Sequence, residues 1–150
     1  MKYSTEYHRM NNQPGKTVNH PRLYKSKWFQ RFARKEGIED ADLLDAADRA
    51  EKGFVDADPG GGVLKQRIAR QEKGKSGGFR TILFYRAGER AVFMYGFAKN
   101  DRGNIDDDEV RAFKAAAGHV LALSAKQMAE LAKKGNFVEV MRDEQKTVSK

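Results

Sequence analysis

The sequence has no cysteine and only three histidines, His8, His20 and His119, spread along the chain. Disulfides and thiolate metal centres are thereby excluded, and neither a metal site nor a bound cofactor is expected. Nor does any apolar run approach the roughly 18 to 20 residues that a membrane-spanning helix needs, and the first residues lack the apolar core of a secretory signal. The expectation is a soluble, cytoplasmic chain with no membrane partner. Acids are scarce in one stretch in particular. From Val63 to Lys99 there are nine Lys or Arg against two acids, Glu72 and Glu89, so these 37 residues hold +7 of the net +8. A polyanion suits such a stretch, because Lys and Arg release condensed counterions when they meet phosphates.

At 150 residues the chain is long enough for one domain with a real core. Residues 1–20 are polar, contain Pro14-Gly15 and have no periodicity, so they read as a flexible extension; residues 142–150 read as a charged tail, leaving 21–141 as the domain. From Tyr24 to Lys35 the residues Tyr24, Trp28, Phe29 and Phe32 recur at helical spacing, with Gly37 placed to end a helix that is basic outside. A second helix is expected from Asp40, as N-cap, to Lys52, with Leu43, Leu44 and Ala47 on one side and Gly53 as its stop. The short link makes the two an αα-hairpin. Residues 39–58 carry eight acids and two bases. They read as a solvated helix face rather than as a rim that steers a polyanion.

After Pro59-Gly60-Gly61-Gly62 the period changes to two. Val63, Lys65, Arg67 and Ala69 then share one strand face. Phe79–Arg86 and Ala91–Lys99 are rich in aromatic and β-branched residues, and 87–90 reads as the turn between them. A symmetric turn sets Arg86 opposite Ala91, Phe84 opposite Phe93, Ile82 opposite Tyr95 and Arg80 opposite Phe97, unless a bulge shifts the register. The loop QEKGKSGG, with Lys73 and Lys75, is not a phosphate loop. Ala69 stands where that motif needs glycine, and a strand follows where it needs a helix. It reads as a basic flap. Further on, Asp106, Asp107, Asp108 and Glu109 open a helix that runs to about Leu121, with Val110, Phe113, Ala117 and Val120 inward. Ser124 and Gln127 form a capping box for another helix, with Met128 and Leu131 inward and Gly135 at its end, and Phe137–Val140 is a last short strand.

The segments LKQRIA, GKSGGFRTILFY and FMYGFAKND resemble the RelE/ParE toxin superfamily, most closely its HigB-like branch. A K-x-R strand, a G-K-S-G-G-x-R strand start and an aromatic-Ala-Lys strand end recur there. The resemblance implies an α+β fold in which an N-terminal helical hairpin packs on a small antiparallel sheet, with helices at the C-terminal end. It further implies an endoribonuclease that cleaves mRNA on the ribosome, inhibits translation and is restrained by a cognate antitoxin. The stretch from Val63 to Lys99 holds converging cations and no carboxylate cluster for Mg²⁺, which fits metal-free transesterification better than two-metal hydrolysis. Arg80 is the best residue for charge stabilisation, followed by Arg67 and Lys65. Lys65 or Lys99 is a candidate base, Tyr95 a proton carrier, and Arg70, Lys73, Lys75 and Phe97 are candidates for holding RNA. Related toxins often carry tyrosine where Phe97 stands, so any hydroxyl has to come from Tyr95. Two alternatives are a ParE-like gyrase poison and an inactive member that only binds nucleic acid or antitoxin.

Overall fold

In the computed structural model, which describes residues 20–70 and 77–142, Ser26 is where the first strand, β1 (Arg22–Ser26), becomes the first helix, α1 (Lys27–Glu36). The Ser26 Oγ accepts the Phe29 N–H at 3.0 Å and donates to the Met94 carbonyl at 3.2 Å. One hydroxyl thus caps the helix and ties its start to a neighbouring strand. The helix expected from Tyr24 is corrected accordingly, since Tyr24 lies in β1. The spacing of Tyr24, Trp28 and Phe32 runs across a boundary that long-range pairing decides, because β1 is hydrogen-bonded on both sides. After Gly37, at φ 75°, comes α2 (Asp40–Glu51), whose N-cap is Glu39 rather than Asp40. The Asp42 carboxylate accepts the Glu39 N–H at 2.9 Å and closes the capping box.

The remaining elements are β2 (Ala57–Gly60), β3 (Val63–Ala69), β4 (Gly78–Arg86), β5 (Arg90–Ala98), α3 (Asp107–Ala122), α4 (Ala125–Lys133) and β6 (Phe137–Val140). They form one six-stranded sheet in the order β2-β3-β4-β5-β1-β6. The fold is α+β, as expected, but the sheet is mixed: β1 runs parallel to β5 and every other pairing is antiparallel. The departure follows from the unforeseen β1, which the helical hairpin carries away from β2 to the other side of the sheet. Strand β2 was likewise unforeseen. It ends in the Gly60-Gly61-Gly62 turn, where a Cβ on Gly62 would lie 2.6 Å from Leu121 Cδ1, so this turn packs directly under α3.

The period-two pattern splits the core into two layers. Leu23, Leu64, Ile68, Leu83 and Phe93 pack under α1 and α2, while Tyr24, Val63, Ile82, Phe84 and Val92 pack under α3 and α4. The expected capping box forms at Ser124 with Gln127, and the acidic opening of α3 closes a second one, at Asp106 with Glu109. None of the helices among the described residues is long and apolar enough to cross a membrane.

The β4–β5 hairpin departs from the symmetric register near its turn. Arg86 faces Arg90 rather than Ala91, and Phe84 faces Val92 rather than Phe93. The loop is the three residues Ala87-Gly88-Glu89, with Gly88 at φ 73° supplying the left-handed position such a loop requires. A bulge then inserts Met94 between the pairs Leu83–Phe93 and Ile82–Tyr95. This one-residue shift cancels the first. Beyond it Ile82 faces Tyr95 and Arg80 faces Phe97, as expected.

Candidate functional site

The bulge decides which side chains meet. On the α3 side of the sheet, at the ends of the strands away from the β4–β5 turn, one row across three strands reads Arg67, Arg80, Phe97 and the next reads Lys65, Ile82, Tyr95. A cleft of about 230 Å³ over these rows is lined by Asp56, Lys65, Arg80, Ile82, Phe97 and Asn104. A second cleft, of about 580 Å³, brings Arg67, Arg80 and Lys99 together with Arg49, Asp42 and Asp45 of α2. Arg80 lines both.

Arg67 and Arg80 are direct cross-strand partners of like charge, an arrangement that disfavours the free protein. Asp56 offsets it on one side only. Its carboxylate accepts the Arg67 N–H at 2.7 Å and lies 3.8 Å from the Arg67 guanidinium. Among the described residues no acid pairs with Arg80 or Lys99. The Lys65 Nζ donates to Asn104 Oδ1 at 3.1 Å, and that oxygen also accepts the Ile105 N–H at 2.8 Å. Lys65 is therefore aimed by the loop that follows β5.

The same loop contributes Arg102, which sequence reasoning missed. Its guanidinium makes two hydrogen bonds to the Glu109 carboxylate, at 3.1 and 2.6 Å, donates to the Tyr95 hydroxyl at 3.3 Å and lies 5.2 Å from the centre of the Phe97 ring. The hydrogen bond to Glu109 raises the Arg102 pKa, and Arg102 in turn holds the Glu109 carboxyl below the usual carboxylate range, with the Asp106 N–H adding to the effect. Arg102 lay hidden in a stretch with five acids and two bases, where it reads as charge balance. The usable signal was Glu109 at the third helical position, where a carboxylate can cap the helix and hold a cation at once.

The expected site residues thus divide. Lys65, Arg67, Arg80 and Lys99 line the two clefts that share Arg80, whereas Tyr95 lines neither and stands in the row of Lys65 with Ile82 between them. Phe97 lines the smaller cleft but is only 6% exposed, so it forms the floor of the cleft and does not offer a ring face to a base. Arg70 goes to the other layer, where its guanidinium lies 4.8 Å from the centre of the Phe79 ring. Lys73 and Lys75 lie outside the described residues, as do nearly all of the expected N-terminal extension and C-terminal tail. Among the described residues one trio has metal-type ligands within reach of one another: His20, Asp48 and Glu51. These groups already have partners, His20 Nδ1 at 3.1 Å from Glu51 and Arg142 at 2.7 Å from Asp48, and none belongs to the basic face.

With cations in a row, a hydroxyl held by an arginine and an aromatic floor, the face suits a phosphodiester. A family model described as the RelE toxin of the RelE/RelB toxin–antitoxin system matches residues 21–140. No curated protein and no solved structure matches the chain.

Proposed function

The chain belongs to the RelE toxin family, and from that premise we propose that it is a toxin of a toxin–antitoxin pair that cleaves mRNA on the ribosome without a metal ion. The observation that carries the proposal is the cross-strand pair Arg67 and Arg80, two guanidiniums held side by side with an acid beside only one of them. A phosphate between them relieves their repulsion and gains bidentate hydrogen bonds.

In this reading the 2′-oxygen attacks the adjacent phosphorus, the O2′–P bond forms as the P–O5′ bond breaks, and a 2′,3′-cyclic phosphate and a 5′-hydroxyl result. Arg80 and Arg67 stabilise the charge on the non-bridging oxygens. Lys65 or Lys99 takes the proton from the 2′-hydroxyl. The Tyr95 hydroxyl, oriented by Arg102, gives a proton to the leaving 5′-oxygen and so serves where Phe97 has no hydroxyl. Asp56 and Glu109 are positioning residues for Arg67 and Arg102. Kinship with the HigB-like branch, a cytoplasmic site of action and an antitoxin that covers the basic face with acidic or helical segments belong to the same proposal.

Primer extension on message from an in-vitro translation reaction tests it. New 5′ ends are expected with the wild type, and about 10²–10³-fold fewer with Arg80→Met. Intact message beside normal translation would refute the nuclease, and inhibition of gyrase supercoiling by the same protein would favour the ParE-like alternative.

A further inference from the structure

The chain has a single tryptophan, Trp28, and it is 43% exposed. Its place follows from the strand pairing. β1 accompanies β5 only as far as the pair Lys25–Phe93, so beyond the bulge α1 begins where β1 has ended. Gly96 lets the helix come close, since a Cβ there would lie 2.8 Å from Phe32 Cε2. Trp28 is consequently well held although open to solvent. Its ring lies 5.4 Å from that of Phe32, nearly parallel at 14°, and 4.8 Å from that of Tyr95. Tyr95 in turn lies 6.0 Å from Phe97, the cross-strand partner of Arg80. A run of aromatic rings therefore leads from Phe97, the partner of Arg80, out to an indole that is 43% exposed.

We infer that Trp28 is a stacking subsite for an unpaired RNA base next to the cleaved bond. The inference rests on the nuclease reading above. Its surroundings select the ligand. Lys27 and Arg31, on the same first turns of α1, are exposed and have no ion-pair partner among the described residues, and Arg102 donates to the hydroxyl of Tyr95. A ring bordered by cations suits a chain that alternates π faces with negative charges, which is single-stranded RNA. An apolar protein surface would bring no charge to meet them. Phe97, sealed in the floor, leaves this role to the ring that is open.

Two measurements test the subsite. In the translation reaction, Trp28→Ala needs about five- to a hundred-fold more protein than wild type for equal cleavage, the usual weight of one base stack, and relaxes the preference for the base beside the cut. Trp28→Phe, which keeps a ring, retains most of the activity. The second measurement is direct, because Trp28 is the chain's sole indole: titration with a short single-stranded 2′-O-methyl RNA, whose blocked 2′-oxygen prevents cleavage, quenches its emission. Wild-type cleavage matched in rate and position by Trp28→Ala would refute the subsite and leave the nuclease standing. No cleavage by the wild type refutes both. Emission that stays constant across the titration refutes the subsite and leaves the exposed ring to a protein partner.

Discussion

Replacing Arg80 by methionine should make the protein more stable and less active at once. Methionine keeps an unbranched apolar stem beside Phe97 and removes the charge that faces Arg67 across the β3–β4 ladder. Like charges directly opposite cost roughly 0.2–1 kcal/mol. Asp56, at 3.8 Å from the Arg67 guanidinium, is an exposed partner that returns only part of that. Relief of about 0.5 kcal/mol is therefore expected at low ionic strength, which in a chain of this length raises Tm by about 1–2 °C. The gain should vanish near 1 M salt, where the screening length falls to about 3 Å. Cleavage should fall by about 10²–10³-fold, the usual consequence of losing one preorganised donor to a developing charge. Thermal unfolding at low and high salt, set beside primer extension, reads both effects. Undiminished cleavage would remove Arg80 from the site. Lost cleavage with a lower Tm at low salt would show that Arg80 supports the fold rather than being held there against repulsion.

Tyr95→Phe removes the hydroxyl that accepts from Arg102 and keeps the ring beside Trp28. Cleavage should drop by about 10²-fold or more with RNA binding retained, and equal loss of both would place Tyr95 in binding alone. Glu109→Gln keeps a capping side chain but gives up the charged anchor for Arg102. Because the folded Glu109 carboxyl titrates below its ordinary 4.5, its stabilisation is present in full above that pH and is lost as pH falls through the lowered value. The variant should accordingly be less stable than wild type near neutrality, with the difference closing in acid; a gap unchanged by acid in thermal unfolding would deny the pair its role. Gly96→Ala sets a methyl group 2.8 Å from Phe32 Cε2 and 3.1 Å from Phe29 Cε2, which should cost about 1–3 kcal/mol and loosen α1 from β5. Denaturant unfolding checks the cost, and an unchanged midpoint would mean that the helix yields freely.

What local pattern controls was legible in the sequence. The period-two run from Val63 put Lys65 and Arg67 on one face because successive strand side chains must alternate, and the acidic run from Asp106 and the capping box at Ser124 marked helix starts because a helix's first N–H groups favour negative charge and acceptors nearby. The charge excess between Val63 and Lys99 marked the stretch that supplies Lys65, Arg67, Arg80 and Lys99 to the two clefts. Pairing between distant segments was not legible. Residues 22–26 became a strand because β5 and β6 present edges on both sides of them, and no window around Tyr24 holds that information. The Met94 bulge, which sets Arg80 against Phe97 despite a turn of unexpected length, belongs to the packed sheet in the same way. So do Arg102, brought over Phe97 by the start of α3, and Trp28, brought against Tyr95 by the end of β1. The sequence by itself determined the elements' local character and where the cations lie; the tertiary structure alone decided which of them meet, because register and strand order arise from contacts between residues far apart in the chain.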